Sequence, residues 1–208
     1  MKKSLIALII AALMILAPAA LAAASVVAPT DDFYVNDSAG VLSDATEGHI
    51  IFNNDALEKA CGAQIVIVTI DTAVAGSNAM ENYATELFNQ WEIGDPEKDN
   101  GILLLMAIKD DDYWMQAGSG LRKSLTAGDL DNLLQTYLEP YFAEGDYDGG
   151  AHALFDAAFA AVAHAEGITL KIDPNAGVTS TSQTQRNGIF GIFRKILVVL
   201  YGCFQYLF

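Results

Sequence analysis

The sequence GILLLMAIKDDDYWMQA, which spans residues 101–117, decides the fold of this chain. Residues 101–108 form an unbroken apolar run, a pattern typical of a strand that is buried on both faces of a sheet. Residues 113–117 form another short strand, and only Lys109–Asp112 separate the two. Strands joined by so short a connection pair as an antiparallel hairpin, which is the prediction for this stretch.

A further buried strand is predicted before the hairpin, at residues 64–70 (QIVIVTI). An amphipathic helix lies between this strand and residue 101, because apolar residues recur there at helical spacing: Met80, Tyr83, Ala84, Leu87, Phe88 and Trp91. Two strands joined through a helix are expected to be parallel neighbours in one sheet.

Three more helices are predicted around this sheet. Ser43 is a suitable N-cap for a helix that ends at about Cys61, just before Gly62. Apolar residues at helical spacing indicate the other two near residues 130–141 and 154–162. Buried strands that alternate with helices predict an α/β fold: a three-layer α/β/α sandwich whose small mixed sheet contains a parallel pair and an antiparallel hairpin.

The charge of the chain excludes one class of partner. Its 26 Asp and Glu residues outnumber 11 Lys and Arg, which gives a formal net charge of −15. All the acidic residues lie between Asp31 and Asp173, so the folded part is the acidic part. A nucleic-acid partner is not expected, because its phosphates would be repelled. Divalent cations and basic partners are favoured instead.

The two ends of the chain are apolar and predict export and membrane association. A basic start, a short apolar run and small residues before residue 25 are typical of a signal peptide. The predicted organisation is a signal peptide at 1–24, a linker at 25–32, a domain at 33–170, a flexible linker at 171–188 and an apolar membrane-associated tail at 189–208. The domain is expected in the cell envelope, on the extracytoplasmic side of the membrane.

Whether the tail spans the membrane is left open by the sequence. The apolar segment at residues 196–208 is shorter than the roughly 18 residues that a span needs. A longer segment would include Arg194 and Lys195, which are costly inside a bilayer unless they reach the interface.

The predicted hairpin brings polar residues together at one end of the sheet. Asp99 and Asn100 come just before its first strand, and Gly118–Arg122 come just after its second. Carboxylate and amide oxygens, together with open carbonyls near Gly118 and Gly120, are ligands that suit Ca²⁺ or Mg²⁺.

The sequence gives little support to a zinc site, a serine hydrolase or a P-loop nucleotide hydrolase. His49, His152 and His164 are scattered, and no partner at i+4 is recognised for any of them, so no zinc site is expected. The chain has no Gly-x-Ser-x-Gly nucleophile elbow and no phosphate-binding loop of the Gly-x-x-x-x-Gly-Lys-Ser/Thr type.

A set of short motifs, in unbroken order over about residues 33–165, resembles the TPM domain family. The motifs are YVNDxAGVLS (34–43), AQIVIVT (63–69), WxIG (91–94), DNGILL (99–104), GxGL (118–121), PxF (140–142) and GDY (145–147). The resemblance implies an exported or lumenal α/β/α domain. It also implies the roles proposed for members: calcium binding, acid phosphatase activity and assistance to membrane protein complexes.

The resemblance extends to candidate site residues. Asp37, Asp99 and Asn100 match the family pattern and are the expected ligands of a divalent cation, with Gly118 and Gly120 supplying backbone groups. Arg122 stands where members usually have Glu, so this chain has one carboxylate fewer at that end and gains a guanidinium that could hold phosphate oxygens.

The favoured interpretation is an exported, membrane-associated TPM-like domain that binds Ca²⁺ or Mg²⁺ and assists membrane protein partners. Two alternatives remain. The first is a metal-dependent acid phosphatase, in which the metal would activate water and Arg122 would hold the phosphate. The second is an anchored interaction module with no ligand site. The sequence leaves open whether the chain is an enzyme, and the non-catalytic interpretation is preferred because no nucleophile or general acid is identified.

Overall fold

The computed structural model describes residues 26–73 and 79–177. One four-stranded sheet has the order β1-β2-β3-β4. Its strands are β1 (Val35–Asp37), β2 (Ile65–Ile70), β3 (Ile102–Ala107) and β4 (Asp112–Ala117). β1, β2 and β3 are parallel, and β4 is antiparallel to β3. The predicted parallel pair and the predicted hairpin are both confirmed, and β1 is a strand that the sequence analysis did not predict.

The helices surround this sheet and are close to their predicted positions. They are α1 (Asp44–Cys61), α2 (Ala79–Trp91), α3 (Ala127–Leu133), α4 (Glu139–Phe142) and α5 (Tyr147–Ala165). A π-helical turn at Leu134–Leu138 joins α3 to α4. One continuous helix was expected there. Pro140 has no N–H to donate to the preceding turn, which accounts for the change of helical pitch.

The ends of α1 follow from its flanking residues. The Ser43 side chain accepts a hydrogen bond from the Thr46 N–H at 3.2 Å, which caps the first turn. Gly62 adopts a left-handed conformation with φ 80°, and its N–H donates to the Glu58 carbonyl at 2.7 Å. α1 therefore begins and ends where the sequence predicted.

The sheet separates two hydrophobic layers. Alternate strand residues, Ile65, Ile67, Ile102, Leu104 and Met106 among them, pack against α1, α3, α4 and α5. The residues between them, including Val66, Val68, Leu103 and Leu105, pack against α2. The structure is thus the predicted three-layer α/β/α sandwich, and similar burial on both faces explains why its central strands are apolar throughout.

Packed contacts extend beyond residues 33–170 at both ends. The Trp91 side chain donates to the Val27 carbonyl at 3.0 Å. Asp173 donates its N–H to the Asn53 side chain at 2.8 Å, and Ala176 is buried. The predicted signal peptide and the predicted tail lie outside the described residues. Within residues 26–73 and 79–177, no helix is both long enough and apolar enough to cross a membrane.

Candidate functional site

The structure brings Asp99 against the glycines that follow β4. The Asp99 carboxylate accepts a hydrogen bond from the Ser119 N–H at 2.7 Å, and its carbonyl accepts one from the Gly120 N–H at 2.9 Å. Hydrogen bonds from Ser119 and, to a smaller extent, the charge of Arg122 lower the pKa of Asp99. The sequence analysis predicted this juxtaposition.

The close approach of the two loops depends on glycine. A Cβ atom at Gly118 would lie 2.1 Å from the Asp99 carbonyl oxygen, and one at Gly120 would lie 1.9 Å from the Lys98 carbonyl oxygen. Both distances are far below van der Waals contact. Gly118 and Gly120 are therefore required by the packing of the loops, whether or not they bind a ligand.

Asn100 is used to hold the same loop. It is 1% exposed, and its side-chain oxygen accepts a hydrogen bond from the Asp95 N–H at 3.1 Å. Its amide nitrogen donates to the Cys61 carbonyl at 3.2 Å and to Glu166 at 3.0 Å. A cation bound by Asn100 would have to compete with the Asp95 N–H for that oxygen.

Asp37 lies at the opposite end of the sheet. It is the last residue of β1 and is in register with Thr69, whereas Asn100 precedes Ile102, which is in register with Ile65. Thr69 and Ile65 are four residues apart on β2, about 13 Å along the strand. The expectation that Asp37 joins Asp99 and Asn100 in one site is therefore corrected, because no single ion can reach both ends.

The Asp37 carboxylate closes the loop that leads into α1. Its two oxygens accept hydrogen bonds from the Val41 N–H at 3.1 Å and the Leu42 N–H at 2.8 Å. The Thr69 hydroxyl donates to it as well. These contacts give Asp37 a structural role in the turn.

A second group of potential ligands lies between α1 and α5. His49 comes from α1, and His152 and Asp156 lie one turn apart on α5. His49 Nε2 is 2.7 Å from Asp156 Oδ1, and His152 Nε2 is 3.9 Å from Asp156 Oδ2. One ligand atom from each of the three residues lies within 4.8 Å of the others. This arrangement could hold a metal ion.

The group has a rigid inner side and an open outer side. The His49 side chain is 2% exposed, and its ring meets Phe155 edge to face with centroids 5.8 Å apart. Asn53 donates to the His49 carbonyl at 2.9 Å. The side chains of His152 and Asp156 are 42% and 40% exposed. An ion could therefore enter from solvent and meet a fixed imidazole beneath.

The sequence analysis missed this group. The prediction that the histidines are scattered is wrong for His49 and His152, whose rings stack with centroids 4.2 Å apart and an interplanar angle of 18°. The statement that no histidine has a partner at i+4 is also wrong, because Asp156 is four residues after His152. The four-residue spacing of His152 and Asp156 was the signal available in the sequence. His49 reaches this pair only because α1 packs on α5.

The comparisons with known proteins agree with the fold. The model of the TPM domain family matches residues 35–161. The N-terminal domain of a protein from P. gingivalis is 25% identical, with a TM-score of 0.57 over 65% of this chain and 85% of that one. The BA42 protein from Bizionia argentinensis is 16% identical, with a TM-score of 0.51 over 65% of this chain and 88% of that one. No curated protein matches the chain.

Proposed function

Because the chain belongs to the TPM domain family, we propose that it is an exported, membrane-associated TPM domain that binds a divalent cation and assists membrane protein partners. The observation that supports the cation-binding part best is the His49, His152 and Asp156 group, with its ligand atoms within 4.8 Å of one another. Export and membrane association rest on the apolar ends of the sequence and on the family resemblance.

The electrostatics of the domain favour such binding. The formal net charge of −15 attracts cations to the whole surface. Asp156 supplies a carboxylate directly, and no Lys or Arg among the described residues forms an ion pair with it. A cation at Asp99 would instead meet Arg122 nearby and would have to displace a backbone hydrogen bond that shapes the loop. A cation at Asp156 would displace one side-chain hydrogen bond, with His49, and could bind both partners of that bond. The group between α1 and α5 is therefore the preferred site, and Asp99 with Asn100 is the second candidate for Ca²⁺ or Mg²⁺.

The distance between Arg122 and the His49, His152 and Asp156 group weighs against a phosphatase whose metal is bound by that group. Asn100 contacts Cys61 and Glu166, which lie at the C-terminal ends of α1 and α5. Arg122 lies near Asp99, at the same end of the domain. His49 lies twelve residues before Cys61 on α1, about 18 Å along the helix. Arg122 is thus too far away to hold a phosphate bound to a metal at His49. This argument does not apply to a metal at Asp99 and Asn100, where Arg122 is close. The non-catalytic interpretation is preferred because no nucleophile or general acid is identified.

The cation-binding proposal is tested by thermal unfolding of the full chain with a panel of divalent cations. A ligand that binds only the folded state adds about 1.4 kcal/mol at ten times its dissociation constant, enough to raise the melting temperature by a few degrees. We expect such a rise for at least one cation. If no divalent cation changes the melting temperature, the chain is an interaction module without a cation site.

Membrane association is tested separately by deleting residues 189–208 and fractionating cells that make the shortened chain. The deletion spares every described contact, because the described residues end at 177. We expect the shortened chain in the soluble extracytoplasmic fraction. If it stays with the membrane, a protein partner or an uncleaved signal segment retains it.

A further inference from the structure

We infer that the His49, His152 and Asp156 group selects a metal ion that prefers imidazole ligands, with Zn²⁺ as the main candidate, and that this ion links α1 to α5. The inference rests on the proposed function and goes further in naming the class of ion. It differs from the sequence-based expectation of Ca²⁺ or Mg²⁺, which was built on the carboxylate and amide oxygens at the strand edge.

The chemistry of the three ligands discriminates between classes of ion. Ca²⁺ takes six to eight oxygen ligands, and Mg²⁺ prefers an octahedral shell of oxygens that includes several waters. Two imidazole nitrogens and one carboxylate oxygen are a poor set for either. The same set suits Zn²⁺ and also Co²⁺, Ni²⁺ and Cu²⁺, which bind imidazole well. Because the described residues supply three protein ligands to the group, a fourth position would be left for water.

The three side chains lie near one another, but they must adjust before they can bind a tetrahedral ion. Zinc ligands lie about 2.0–2.2 Å from the ion, which places two tetrahedral ligand atoms roughly 3.4 Å apart. His49 Nε2 lies 2.7 Å from Asp156 Oδ1, and His152 Nε2 lies 3.9 Å from the other carboxylate oxygen, Oδ2. When one ligand atom is taken from each residue, the three atoms lie within 4.8 Å of one another. The most widely spaced pair must close by up to about 1.4 Å, and the hydrogen bond between His49 and Asp156 must open, before the three atoms can share one ion.

His152 has the exposed side chain that can make the required movement. The two rings are nearly parallel, with an angle of 18°, so their nitrogen lone pairs do not yet converge on one point. His152 must turn, and its side chain is 42% exposed on the surface of α5. His49 is enclosed by Phe155 and the sheet-facing core, and it provides the fixed ligand.

The ion would join two helices that come from distant parts of the sequence. α1 and α5 lie in the same layer and pack through residues such as Ile50 and Phe155. A metal bond from His49 to α5 would add a cross-link to this interface and would exist only in the folded chain. Binding should therefore stabilise the domain as well as fill the site.

The inference is tested by isothermal titration of the full chain, made without a polyhistidine tag, using Zn²⁺, Co²⁺, Ca²⁺ and Mg²⁺ in separate runs. We expect one equivalent of Zn²⁺ to bind and Co²⁺ to give visible absorption bands typical of four-coordinate nitrogen and oxygen ligation. His152→Gln removes a direct ligand and should weaken Zn²⁺ binding by at least the roughly 10–100-fold that loss of a partner outside the ligand set costs. This substitution is at a half-exposed position, so the variant should stay folded, and circular dichroism checks this.

Two matched variants make the outcomes distinct. His164→Gln removes a histidine from the exposed side of α5 and should leave Zn²⁺ binding unchanged. Asp156→Asn should weaken it as His152→Gln does. If Ca²⁺ or Mg²⁺ binds and His152→Gln has no effect, the inference is overturned while the proposed cation binding stands. If no ion binds the wild-type chain, both fail.

Discussion

The Asn54 side chain bridges the backbone of Ile65 in both directions. It accepts a hydrogen bond from the Ile65 N–H at 2.8 Å and donates one to the Ile65 carbonyl at 2.9 Å. Asn54 is fully buried on α1, and Ile65 is the first residue of β2. The start of the central strand is thus fixed to the helix that also holds His49.

Replacing Asn54 with Ala should be among the most damaging single substitutions in α1. Both backbone groups of Ile65 would lose these partners in a site that water does not reach, at a cost of about 2–4 kcal/mol. Urea denaturation measures the loss of unfolding free energy. Gln90→Ala, on the exposed side of α2, is the control and should change it by less than about 0.5 kcal/mol. Equal effects of the two variants would contradict the assigned role of Asn54.

Gly120 and Gly128 should respond to alanine in opposite directions. Gly120→Ala places its Cβ 1.9 Å from the Lys98 carbonyl oxygen, so the loop beside Asp99 must open and the melting temperature should fall by many degrees. Gly128→Ala, in α3, meets nothing closer than 3.8 Å and should stabilise the helix by about 0.5–1 kcal/mol. A tolerated Gly120→Ala would show that the loop is not closely packed.

Glu47 should reduce the stability of the domain at neutral pH. Burial, followed by repulsion from Asp37 and Asp44, raises the pKa of Glu47 above 4.5. The folded state therefore holds the proton more tightly than the unfolded state, and its stability falls as the pH rises through this raised pKa. Glu47→Gln should be more stable than wild type at pH 7, by less than about 1 kcal/mol because the group is partly solvated. The difference should disappear at pH 3.5.

Asp129, whose pKa is shifted in the opposite direction, provides a control for Glu47. Hydrogen bonds from Thr126 in the capping box of α3 lower the pKa of Asp129. Its contribution is present above the unfolded pKa and is lost as the pH falls through the folded pKa. Asp129→Asn should therefore destabilise the domain at pH 7 and converge with wild type in acid. Chemical denaturation at several pH values checks both variants, and shifts of the same sign at pH 7 would contradict the assignment.

The sequence predicts the central sheet because its signals there are local. Residues 64–70 and 101–108 are apolar throughout, and the short turn after the second of them determines the hairpin. β1 has only three residues, too few for a periodic pattern, and so the direction of the chain at Asp37 could not be predicted. Asp37 and Asp99 belong to two motifs of the same family, and for that reason they were assigned to one site. The parallel pairing of β1 with β2 places the two residues at opposite ends of the sheet.

The candidate metal site could be predicted only in part. His152 and Asp156 lie four residues apart on a predicted helix, and that pair is visible in the sequence. His49 is 107 positions from Asp156, and nothing local indicates that they meet. The contact is made by the packing of α1 against α5, a tertiary property that the modest amphipathic pattern of α1 does not reveal.

The most direct test of the account is anomalous X-ray diffraction at the zinc edge, from crystals of the full chain grown with one equivalent of Zn²⁺. The account predicts an anomalous peak between α1 and α5, within bonding distance of His49, His152 and Asp156. A peak at Asp99 and Asn100 instead, or no peak with zinc shown to be present in solution, would contradict it.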